Sequence, residues 1–110
     1  MATTVDDIIA AKDAENSQTT QYTSSNQKTI IDKFTGTNVS AGALTLSVNL
    51  VPSGGTAGTS NLIVDAKSIG VGETYTFPEL VGHTLDSSDF ISTIASATGV
   101  TIRASGRLVT

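Results

Sequence analysis

The sequence predicts an all-β protein: an antiparallel β-sandwich, Ig-like or jelly-roll-like, over residues 28–110, preceded by an extended, partly helical N-terminal arm over residues 1–27. Three observations carry this. Residues 44–50 alternate strictly, with Leu44, Leu46, Val48 and Leu50 on one parity and Thr45, Ser47 and Asn49 on the other, the period of a half-buried strand. Short apolar runs recur between turns rich in Gly, Ser, Asn and Asp, the punctuation of a sandwich or barrel. The first 27 residues lack that pattern and are largely polar.

In chain order, the arm opens with a helical signal over residues 3–15. Thr3 or Thr4 is a helix cap, and Asp6 and Asp7 suit the positive end of a helix dipole. Val5, Ile8 and Ile9 fall on one face at i, i+3, i+4. That stripe is too short to hold a helix alone in water, so it is either a frayed end or an anchor on a neighbouring chain. Residues 16–27 (NSQTTQYTSSNQ) have the composition of a linker around a lone Tyr22. The arm is expected to lie outside the sandwich and to touch another protein through Val5, Ile8, Ile9 and Tyr22. A sandwich lacking the arm is expected to fold.

From Lys28 onward the expectation is strand throughout: residues 29–34, 43–51, 62–67, 73–77, 81–85, 90–95, 100–104 and 108–109. Pro78 ends the fourth of these by removing a ladder donor, and Asp86-Ser-Ser-Asp89 reads as a turn. Parity places Ile31, Leu44, Leu46, Val48, Leu50, Leu62, Val64, Tyr75, Phe77, Leu85, Ile91, Val100 and Ile102 in the core.

Composition narrows function. Six basic and ten acidic residues give a net charge of −4, and the cations are scattered. That is not the clustered footprint of a nucleic-acid binder. With no cysteine, disulfides, thiolate metal sites and cysteine nucleophiles are excluded. The N-terminus MATTVDDII is acidic where a secretion signal would be basic, which favours synthesis in the cytoplasm, and no apolar run is long enough to span a membrane. Three Phe, two Tyr and no Trp make a core poor in large side chains, so neighbours in a homo-oligomer are expected to contribute stability.

The glycine-dense loop at residues 52–60 (PSGGTAGTS) is followed by an apolar strand, not a helix, and has no Lys beside its glycines, so the phosphate-cradle reading fails and a flexible connection is expected. His83, the single histidine, has Glu79, Asp86 and Asp89 nearby in sequence, too few oxygen ligands for a calcium loop. No serine sits in a Gly-x-Ser-x-Gly elbow. The adjacent carboxylates Asp6 and Asp7 have nothing apolar between them to separate their pKa values. Asn38-Val39-Ser40 fits a glycosylation acceptor only as a chance match without a secretion signal. The expected site list therefore holds no catalytic, cofactor-binding or metal-ligating residue, and no small-molecule substrate, cofactor, nucleic acid or membrane among the partners.

Four stretches carry a resemblance to a family: NVSAGALTLSVNLVPSGG at residues 38–55, SIGVGETY at 68–75, LVGHTLDSSDFI at 80–91 and IRASG at 102–106. Together they resemble small virion proteins of tailed bacteriophages, of the capsid-decoration or head-neck type. The resemblance implies a non-enzymatic structural protein in the virion, synthesised in the host cytoplasm. Its partners would be other virion proteins, the major capsid or neck protein among them. A tail- or fibre-associated module that attaches to a host surface or to another virion protein is the alternative; the scarcity of aromatics argues against a glycan platform.

Overall fold

A computed structural model describes residues 2–110. Nine strands run β1 Thr3–Asp13, β2 Thr19–Thr23, β3 Lys28–Asn38, β4 Leu44–Val51, β5 Leu62–Ile69, β6 Thr74–Tyr75, β7 Thr84–Leu85, β8 Phe90–Ala95 and β9 Val100–Val109, with one 3₁₀ turn at Thr59–Asn61 before β5. They form two antiparallel sheets. Sheet A has the order β1-β9-β3-β6, with β7 also on β3; sheet B has the order β2-β8-β4-β5. The chain crosses between sheets at most connections, the winding of a jelly roll. The body is elongated, 46 × 26 × 19 Å.

The helical arm is corrected. Residues 3–13 are an eleven-residue strand paired with β9 from Thr3–Val109 to Asp13–Thr101. Residues 19–23 pair with β8. The division into an arm over 1–27 and a sandwich over 28–110 therefore does not hold, because each sheet takes one edge strand from the supposed arm. The physical reason is the one that made the helix doubtful: three apolar residues cannot sustain an isolated helix, whereas β9 offers a full-length ladder. Ile8 and Ile9 are consecutive, yet both are buried. The ladder slips between Asp6 and Ile9, and a bulge of this kind turns neighbouring side chains away from strict alternation.

The core lies between the sheets. Ile31, Leu46, Val48, Val64, Phe77, Leu85, Ile91, Val100 and Ile102 are buried as parity predicts, while Leu44, Leu50 and Tyr75 pack against them half-buried. Leu62 instead lies half-buried beside a groove on the outer face of sheet B. Parity missed Phe34, Val51, Ile69 and Leu80, all fully buried. Phe77 takes a left-handed backbone (φ 43°) and stands edge-on to Phe34 at 5.0 Å and to Tyr75 at 4.7 Å, a favoured aromatic geometry.

β9 is one strand where two were expected. Gly106 lies inside it: a Cβ there would stand 2.4 Å from the carbonyl oxygen of Ile30. Glycine lets β9 pass close to β3, where that ladder also slips between Ile31 and Lys33. The expected strand at 81–85 is mostly turn. Leu80 donates to the Phe77 carbonyl and His83 to the Leu80 carbonyl, and only Thr84–Leu85 pairs with β3.

Candidate interaction surfaces

The residues expected to meet a partner separate into two groups. Ile8 and Ile9 belong to this chain's own core. Tyr22 is half-buried against the same core, and its hydroxyl bonds Thr29 Oγ1 at 2.8 Å. Val5 alone stays free, at 76% exposed, near the start of β1 and on the open side of sheet A.

The supposed linker is tied down. Ala14 N–H donates to the Val100 carbonyl at 2.7 Å and Ala95 N–H to that of Glu15 at 3.0 Å. Lys12 Nζ donates to Glu15 at 2.9 Å. Gln21 Nε2 reaches both Glu15 (2.8 Å) and Thr93 Oγ1 (3.0 Å). The bonds from Gln21 and Lys12 hold the Glu15 carboxyl below the usual carboxylate range. Deeper in, Ser24 donates to the Gln27 carbonyl and shares a hydrogen bond with buried Thr29. Polar composition here reflects a hydrogen-bonded corner between the sheets, not disorder.

The loop at 52–61 is not a free connection either. Asn49 Nδ2 donates to the Gly58 carbonyl at 2.9 Å and to Asn61 Oδ1 at 2.7 Å. Asn61 in turn donates to the Thr56 carbonyl and accepts from Gly58 N–H. The loop folds back on sheet B and covers Asn49 and Val51, which are buried.

Asn38 is buried with every side-chain atom engaged. Its amide donates to the carbonyls of Gly42 (2.8 Å) and Ile69 (2.9 Å), and its oxygen accepts from Ser40 N–H (2.9 Å) and Oγ–H (2.7 Å). It pins a turn and offers nothing to a glycan. The Asp86–Asp89 segment is a turn: Asp89 accepts from the N–H of Asp86 (2.9 Å) and of Ser53 (2.9 Å), and Asp86 pairs with Lys28 at 3.5 Å. His83 is exposed. Among the described residues no three His, Asp or Glu side chains gather as metal ligands.

An open groove at one end is lined by Asn26, Gln27, Lys28, Asp86, Ser87, Val109 and Thr110; its two charged groups are the Lys28–Asp86 pair just described. On β6, the Tyr75 hydroxyl donates to Glu79 at 2.7 Å. That bond raises the Tyr75 pKa and lowers that of Glu79. Lys67 lies 4.5 Å over the Tyr75 ring. These groups satisfy one another at the surface.

No family model matches the chain, and no curated protein matches it. Among solved structures it is similar to a chain from work described as "Bacillus endospore appendages form a novel family of disulfide-linked pili", with a TM-score of 0.57 at 16% identity, covering 98% of this chain and 88% of that one. The likeness is one of fold: two packed antiparallel sheets traced over nearly the whole chain.

Proposed function

We propose that this chain is a non-enzymatic structural subunit that works in many copies, decorating or stabilising the capsid or head-neck region of a tailed-phage particle. The observation that carries the multi-copy reading is β1. It is an eleven-residue edge strand with one side unpaired, and Val5 stands out from it in water. An open edge is a template for another chain unless it is blunted. The likeness to a chain from work on disulfide-linked pili supports the multi-copy reading, because a pilus is an assembly of many subunits. The phage particle as the place rests on the four resembling stretches.

The same likeness favours a second reading, a subunit of a pilus-like appendage. Lacking cysteine, copies of this chain would join without the disulfides that link those pili. The test is the protein composition of purified phage particles from cells carrying the gene. A fixed ratio of this chain to the major capsid protein is expected, high for decoration and low for a neck component. Its absence from particles, together with fibres in the same culture, would overturn the phage reading in favour of the appendage.

A further inference from the structure

Most charges in this molecule are used internally. The described ion pairs are Lys12–Glu15, Lys28–Asp86 and Arg107–Asp32, and Lys67 covers the Tyr75 ring. Glu73 and Glu79 bond the Gly70 amide and the Tyr75 hydroxyl, and Asp13 accepts from Gly99 N–H. Besides Asp65 on β5, two sets remain without a partner among the described residues, and both lie on sheet A. Lys33 and Arg103 are cations without a carboxylate. Asp6 and Asp7 are carboxylates without a cation.

Their positions are matched. The β1–β9 ladder pairs Asp6 with Gly106 and resumes at Ile9–Ala104, which leaves Asp7 and Ile8 of the bulge together opposite Ser105. Across β9, Ser105 pairs with Lys33, and Arg103 with Thr35. Asp7, Ser105 and Lys33 thus form one row over three strands, with the acid and the cation about 10 Å apart. That is too far to pair within one chain. Asp6 and Asp7 are both exposed at the start of the bulge, so both carboxylates are open to a partner. Lys33, Thr35, Arg103 and Ser105 also frame a small recess floored by Ala104. Two cations and two hydroxyls there suit a carboxylate.

We infer that the outer face of sheet A pairs with the same face of a second copy, Asp6 and Asp7 of each protomer seated against Lys33 and Arg103 of the other. A two-fold axis parallel to β9 carries β1 of one copy over β3 of its partner at the same level along the strands. Both sets of charges then meet at once, as an isologous contact requires. The side chains between them, Thr35 and Ser105, are small enough to let the faces approach. The contact leaves the open edge of β1 free. It rests on the reading that the chain works in many copies.

Sedimentation velocity on the full chain is the test, with circular dichroism confirming that each variant folds. The wild type should dimerise at low salt and weaken about tenfold or more between about 20 mM and about 500 mM salt, as reciprocal exposed ion pairs do. D6K/D7K and K33E/R103E should each be monomeric alone. Mixed, they should form a heterodimer, because each then carries the charges the other lacks. A wild type that is monomeric at low salt overturns the inference. So does a dimer that neither double variant weakens, although that dimer leaves the multi-copy reading standing on another surface. A charge-dependent dimer absent from particles and fibres would instead remove the proposed function and keep the inference.

Discussion

Asn38 shows how much one buried amide can fix. Its donors hold the carbonyls of Gly42 and Ile69, and its oxygen holds Ser40. Replacing it with Ala leaves those groups without a partner, at about 1–3 kcal/mol for each that water cannot reach. Asn38→Ala should therefore lower the denaturant midpoint at unchanged m-value. Asn38→Asp is more informative. A carboxylate would face two carbonyl oxygens, so the folded state raises its pKa. Stability is then retained in acid, where the group is protonated, and lost as pH rises through the raised folded value. Melts of that variant should improve on acidification. Glu15 has the opposite sign. Its pKa is lowered by Gln21 and Lys12, so its contribution is present above the ordinary carboxylate range and lost as pH falls through it. Glu15 is substantially exposed, so the effect is small. Glu15→Gln should flatten the acid limb of a stability–pH profile, and an unchanged limb would show that the corner network is not coupled to folding.

At the scale of elements, the alternation from Leu44 to Leu50 was legible because β4 lies inside sheet B, between β8 and β5, and its inner side chains can face only the core. β1 was illegible for the converse reason. Val5, Ile8 and Ile9 have helical spacing, and only the ladder to β9, distant in sequence, shows that Ile8 and Ile9 go inward around a bulge. Loop 52–61 hid its order in the same way, since Asn49 and Asn61 look like turn residues until they are seen to bond each other. That a strand follows this loop was legible; the exposure of Val5 and the matched charges on sheet A needed the register. Two outcomes follow at this scale. Deleting residues 1–27 uncovers β8 and β9 and removes Ile8, Ile9 and Ala14 from the core. The truncated chain should lose its cooperative melt, contrary to what a separate arm implies; a cooperative melt would mean that β1 and β2 are dispensable. Gly106→Ala places a Cβ against the Ile30 carbonyl and should cost about 1–3 kcal/mol as the β3–β9 ladder shifts. Ser105→Ala beside it should cost far less.

For the whole molecule, the question is what an elongated sandwich does with an unblocked edge. The outer edges of the two sheets differ. β5 is kinked at Ala66 (φ 46°), where its amide bonds Ser47 Oγ instead of continuing the ladder, and Asp65 and Lys67 flank the kink. Bulges and charges are how sheets discourage edge pairing. β1 also slips, but only beyond Asp6; Thr3 to Asp6 pair regularly with β9, and the exposed residue in that stretch is apolar Val5. If assembly uses this edge, a charge at Val5 should act where the same charge at Ile63 on β5 does not. Val5→Asp should fold with a wild-type melting temperature, since the side chain it replaces lies in water. It should nevertheless enter particles or fibres in reduced amount, measured as its ratio to wild type when both are supplied together. Ile63→Asp should enter at the wild-type ratio. Equal incorporation of Val5→Asp and wild type would clear the open edge of β1 of any part in assembly and leave the faces of the sheets as the surfaces through which copies meet.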